Sequence, residues 1–115
     1  MRSFAEWRER AKADLVLLRR CKAAIELVAP GAKVILYGSR ARGDAAEDSD
    51  YDLLVIVDGK ADADVRQRIR DAIFPIELET GAVLTLNAYS SAEWSMPIME
   101  VTPYYKNIER EGVLL

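Results

Sequence analysis

The chain has 115 residues, a formal net charge of −3, a single cysteine and no histidine. This length supports one compact core and no second substrate-holding domain. The acidic balance gives no overall basic footprint for gripping long nucleic acid, and the missing histidine excludes histidine metal ligands, Ser-His-Asp chemistry and a histidine general base. Carboxylates must carry any metal or proton work.

Taken in order, residues 3 to 28 read as one amphipathic helix, with Phe4, Trp7, Ala11, Leu15, Leu18, Ile25 and Val28 forming an apolar stripe. Ser3 is the expected N-cap, with Glu6 as its capping-box partner. Arg8, Arg10, Lys12, Arg19, Arg20 and Lys22, interleaved with Glu6, Glu9, Asp14 and Glu26, read as a solvated face. Cys21 lies within the helical pattern, has no partner for an intrachain disulfide, and is expected as a small core residue. Ala29-Pro30-Gly31 should stop the helix. No apolar run approaches membrane-spanning length, and no signal-peptide h-region stands at the start, so a cytoplasmic protein without a membrane partner is expected.

A first strand is predicted from Lys33 to Tyr37, a short helix from Arg40 to Ala46, and a second strand from Asp50 to Asp58, closed by the Asp58-Gly59 turn. Val65, Ile69, Ala72, Ile73, Ile76 and Leu78 give a core-facing helix from Asp64 to Glu79, capped by Asp62 or a neighbour, which Pro75 should kink or divide. A third strand is predicted from Ala82 to Tyr89, then a loop from Ser90 to Pro97 anchored by Trp94, and a short polar helix from Tyr104 to Glu111 that Gly112 ends. The pattern implies a single α/β or α+β domain, a small sheet with a long leading helix. Its expected parts are the helix at about 3–29, a core at about 32–90 and a helical tail at about 103–111.

Between the first two strands lie a Gly38-Ser39 turn, Arg40, Arg42, a second glycine and an acidic pair, Asp50 and Asp52. Strand residues two apart share a face, so the two carboxylates project together. Side by side they repel unless a cation or proton lies between them, and Mg²⁺, a hard cation that takes oxygen ligands, is the natural occupant. The turn offers bare backbone N–H groups and a hydroxyl, which suit phosphate oxygens. Phosphate beside metal-binding carboxylates points to phosphoryl or nucleotidyl transfer.

The string from Gly38 to Val55, GSRARGDAAEDSDYDLLV, with ten residues between Ser39 and Asp50, resembles the signature of the minimal nucleotidyltransferases, small members of the DNA polymerase beta superfamily. The resemblance implies the nucleotidyltransferase fold, a mixed sheet carrying helices on one face. It implies that Gly38 and Ser39 contact the triphosphate of a nucleoside triphosphate, ATP foremost, and that Asp50 and Asp52 are catalytic and bind Mg²⁺, with Mn²⁺ as the alternative. Arg40 and Arg42 would assist the leaving pyrophosphate. The family's third catalytic carboxylate belongs on the strand that here runs from Ala82 to Tyr89, which contains no Asp or Glu. Thr85 and Asn87 are its polar residues inside the apolar run, and Glu77 and Glu79 stand on the helix before it.

Proteins of this kind stand beside a small HEPN-class protein in toxin–antitoxin pairs, and the run from Thr102 to Val113 also resembles the C-terminal ends of that subgroup. The resemblance thus implies an antitoxin that transfers AMP from ATP to a tyrosine of a HEPN ribonuclease. Its alternatives are a catalytically weak antitoxin acting by contact and, more distantly, an antibiotic nucleotidyltransferase. The closing tyrosines are expected either at an interface or against the domain's own core. Whether the assembly is a hetero-oligomer or a homodimer, and which base the site prefers, stay open at this point.

Overall fold

The structure is a computed structural model that describes residues 1–7 and 12–115. Five strands form one mixed sheet in the order β1-β5-β2-β3-β4. They are β1 (Arg2–Ser3), β2 (Lys33–Tyr37), β3 (Tyr51–Val57), β4 (Leu84–Ser90) and β5 (Val113–Leu114). The helices are α1 (Phe4–Trp7), α2 (Lys12–Val28), α3 (Gly38–Arg42), α4 (Ala63–Thr80), α5 (Ser91–Trp94), α6 (Pro97–Glu100) and α7 (Pro103–Glu111).

The central strand β3 reads YDLLVIV, and all of it but Asp52 is buried. A strand covered on both faces has no polar positions to spare, which explains the continuous apolar run. It pairs antiparallel with β2 and parallel with β4, the latter reached through α4. One face carries α2 and α4: Leu17, Leu18, Cys21, Ile25, Ile69, Ile73 and Ile76 pack on Val34, Leu36, Leu53, Val55 and Leu84. The other face holds a smaller cluster in which Ile35, Leu54 and Ile56 meet Trp94 and Ile108, flanked by Tyr37, Tyr89, Tyr104 and Tyr105. Helices therefore cover both faces, not one: the long pair on one side and the short C-terminal helices on part of the other.

The small mixed α+β architecture follows the sequence pattern, and the differences have local causes. Ser3 caps the first helix by accepting the Glu6 N–H (3.2 Å), yet Arg2 and Ser3 also pair with Val113 and Leu114 as a short parallel strand. The expected stripe residue Ala11, with Arg8, Glu9 and Arg10, lies outside the described residues, as does the Lys12 side chain. Val28 and Leu78, expected to face the core, are exposed. The helix after β2 spans Gly38–Arg42, not Arg40 to Ala46, because Gly43 adopts φ +88° and closes it with its N–H on Ser39 O. Pro75 does not divide the next helix into two elements; α4 runs from Ala63 to Thr80, capped by Asp62, with Pro75 on its exposed side. The segment expected as a loop forms α5 and α6, with Trp94 buried and a capping box between Ser90 and Glu93. Among the described residues no helix is long and apolar enough to cross a membrane.

Candidate nucleotide site

The antiparallel register sets Tyr37 opposite Asp52, so the end of β2 and the start of β3 deliver Gly38 and the acidic pair to one place. Gly38 has φ +75°, and a Cβ there would overlap Asp52 Oδ2 and lie 3.2 Å from Asp52 Cγ. Only glycine combines that backbone with so close an approach of a carboxylate. Asp52 is half-buried and its carboxyl is pushed up, first by burial and then by the neighbouring Asp50 charge; Arg42 opposes the shift and Glu111 adds to it. Asp50, more exposed, accepts a hydrogen bond from the Thr85 hydroxyl (3.3 Å).

Ser39 lies in the turn of α3, half-buried beside Gly38. That helix is pinned from below by the N-terminal segment: Arg2 Nη2 and Trp7 Nε1 both donate to Ala41 O, at 2.7 and 2.9 Å. The two arginines have different surroundings. The Arg40 guanidinium donates to Ser49 O and Glu47 O and stands 4.3 Å from the Tyr51 ring centroid. These bonds tie α3 to the loop carbonyls just before Asp50. Tyr51 in turn donates to Asp14, and burial followed by that carboxylate pushes its hydroxyl up to about 12. Arg42 extends to Asp44 and Glu111, each at 3.2 Å.

Glu111 escaped the sequence reading. It ends α7, and its carboxylate accepts the Gly38 N–H (3.2 Å) as well as Arg42 Nη1. The signal was Val113-Leu114: read as a strand beside β2, it would have placed Glu111 against the turn.

The β4 side of the site is neutral. Thr85 stands in register with Asp52 and Asn87 with Leu54. Asn87 Nδ2 donates to the hydroxyls of Tyr37 (3.1 Å) and Tyr104 (3.2 Å), and Tyr104 donates to Tyr37 (3.3 Å). The closing tyrosines thus pack on the domain's own second cluster. Glu77 turns to the sheet edge, where it accepts the Leu84 N–H (3.1 Å), and Glu79 pairs with Arg20. An open groove of about 610 Å³ lies along the same edge between α4 and β4, lined by Arg66, Gln67, Arg70, Asn87 and Tyr89.

Among the described residues no group of three or more His, Cys, Asp or Glu is placed to hold a metal. Two neighbouring carboxylates, one raised by burial and then by the other's charge, nevertheless form an oxygen donor set suited to Mg²⁺, an ion that keeps waters and commonly shares substrate phosphates. The residues fit the ion on that chemistry.

A comparison with curated proteins gives no match. The nucleotidyltransferase domain matches residues 18–115, which span β2 to β5 and therefore the whole acidic site, and the chain belongs to that family.

Proposed function

We propose that the chain is a Mg²⁺-dependent nucleotidyltransferase that moves a nucleoside monophosphate, AMP from ATP, onto a hydroxyl of a partner protein, and that it serves as the antitoxin of a HEPN-class ribonuclease. The observation that carries the transfer reading is the Gly38 backbone pressed against Asp52, with Asp50 beside it. The string from Gly38 to Val55 supports the finer placement among minimal nucleotidyltransferases, and with it the HEPN partner.

In this reading Gly38 and Ser39 form the turn that receives the triphosphate, and Asp50 and Asp52 hold Mg²⁺. When bound, the ion supplies charge neutralisation at the phosphate oxygens. Arg42, at the mouth, faces the charge that builds on the departing pyrophosphate. The acceptor oxygen forms a bond to the α-phosphorus as the bond from that phosphorus to the bridging oxygen breaks; pyrophosphate leaves and the hydroxyl proton passes to water. Thr85 and Asn87 border the acceptor's approach. The arginine-lined groove beyond Asn87 gives an acidic acceptor surface a place to rest. Incubation with α-labelled ATP, Mg²⁺ and a HEPN-class partner, read by intact mass, is expected to add AMP to the partner and to add none with Asp52→Ala. No label on the partner would sink the transfer reading.

A second reading is favoured by one observation: beside the acidic pair β4 presents neutral Thr85 and Asn87 and no carboxylate that could draw the acceptor's proton. The chain would then bind nucleotide and neutralise its partner by contact. Under that reading the double variant Asp50→Ala, Asp52→Ala still neutralises; loss of neutralisation with the complex intact rejects it.

A further inference from the structure

The carboxylate of Glu111 is tied to two separate parts of the phosphate turn. It accepts the backbone N–H of Gly38, the first residue of α3, and both of its oxygens lie 3.2 Å from Arg42 Nη1, whose residue ends the same helix. The placement follows from strand pairing. β5 runs antiparallel to β2 with Ile35 opposite Leu114 and Leu36 opposite Val113, and two further steps of that register bring Glu111 level with Gly38. The Gly38 N–H thus continues the edge of the ladder toward the C-terminal segment, where the Glu111 side chain stands in for the missing strand partner. Only 13% of that side chain is exposed, so the contact is built into the fold rather than made by a free surface acid.

Asp44 takes Arg42 Nε while Glu111 takes Nη1. Two carboxylates on adjacent sides fix the plane of the guanidinium, and among the described residues Nη2 has no hydrogen-bond partner. A planar fork held at one end presents the other in a defined direction.

Resting on the nucleotidyltransferase reading, we propose that Glu111 is a positioning residue of the phosphate site. It fixes the Gly38-Ser39 turn through the Gly38 N–H and orients Arg42 so that its remaining N–H groups meet the triphosphate. Ser39 keeps its own N–H and hydroxyl for phosphate, while the Gly38 N–H belongs to the brace. The C-terminal helix is therefore part of the nucleotide site, though it lies far along the chain from the motif.

The test is calorimetric binding of ATP in excess Mg²⁺ to the wild type, Glu111→Ala, Glu111→Gln, Arg42→Ala and the double variant Glu111→Ala, Arg42→Ala, with hydrogen exchange of the Gly38–Arg42 amides in the ligand-free proteins. Glu111→Ala is expected to weaken ATP by about tenfold, the scale of one lost charge-assisted interaction. Glu111→Gln should fall between, because its amide oxygen still accepts the Gly38 N–H. Arg42→Ala should add less than about threefold on the Glu111→Ala background, since the two act as a unit. Exchange at Gly38 should quicken in Glu111→Ala. ATP binding unchanged or tightened in folded Glu111→Ala, or additive losses in the double variant, would overturn the proposal. Should Glu111→Ala fail to fold, Glu111→Gln with wild-type affinity would overturn it equally. A wild type that binds no ATP would reject the nucleotide reading itself, while the exchange data would still report whether the brace exists.

Discussion

The two halves of the site are built from opposite materials. On the β2–β3 side stand Asp50, Asp52, Arg42, Asp44 and Glu111, charges held close together around a glycine that no other residue can replace. Toward β4 stand neutral groups: Asn87, Tyr37 and Tyr104 hydrogen-bond one another, and Thr85 donates to Asp50 across the divide. The first half is under electrostatic tension, since burial and Asp50 both resist ionisation of Asp52. The second is not: burial and the Tyr37 hydroxyl keep Tyr104 protonated far above the ordinary tyrosine range. A half that is costly without a ligand is the half that gains most from one. The β4 half contributes shape and hydrogen bonds but no base.

The largest expected effect comes from removing the charge. Asp52→Ala should lower nucleotidyl transfer by at least about a thousandfold, as loss of a group that neutralises transition-state charge does, while the fold survives by circular dichroism. Equal activity in this variant would erase the distinction between the halves.

Closing the gap without touching charge should be nearly as harmful. Gly38→Ala places a methyl on Asp52 in a left-handed backbone, which costs about 1–3 kcal/mol of stability and should also weaken ATP. Denaturant unfolding and calorimetry on one preparation test both effects.

Supplying the acid that β4 lacks sharpens the comparison from the other side. Thr85→Asp puts a carboxylate in register with Asp52 and beside Asp50. Transfer with Mg²⁺ should rise about a hundredfold, the low end of general-base contributions, and the ligand-free protein should lose stability to the added repulsion. A drop in rate would show that the neutral β4 half is itself required.

The smallest effect is on pH dependence. The Asp52 carboxyl is raised in the folded state, so its contribution favours folding below the ordinary carboxylate range and is lost as pH rises through the raised value. Asp52→Asn should therefore raise the melting temperature of the ligand-free protein at neutral pH by roughly 1–4 °C, with the gain vanishing in acid. At Tyr51, next to Asp52 on β3, the same sign applies far higher. Tyr51, pushed up to about 12, withholds no stability below about pH 10 and loses its contribution as pH climbs toward 12. A spectroscopic tyrosine titration should show Tyr51→Phe removing a late-titrating group.

Much of this was legible in the chain. β2 matches its predicted span residue for residue, and β3 and β4 differ by one or two positions at their ends, because long apolar runs leave little choice of element. The acidic pair and the glycine turn were legible because the spacing is local. What was not legible depends on long-range pairing. Two-residue strands such as Arg2–Ser3 and Val113–Leu114 carry no periodicity of their own and exist only because β2 offers an edge. Glu111 went unseen for that reason, and so did the difference between Arg40 and Arg42: two identical side chains two residues apart, sorted by whether a loop carbonyl or a distant carboxylate lies within reach. Pro75 does not divide α4, because helix packing against the sheet outweighs one missing backbone hydrogen bond on an exposed side.

The most direct measurement is Mn²⁺ binding in the presence of ATP, followed by electron paramagnetic resonance in the wild type and in Asp50→Ala, Asp52→Ala. On the proposed reading the charged half holds metal and nucleotide, so the wild type should immobilise Mn²⁺ on the protein only with ATP present, and the double variant should leave the Mn²⁺–ATP complex in solution. Equal immobilisation in both proteins, with the fold of each intact, would contradict it.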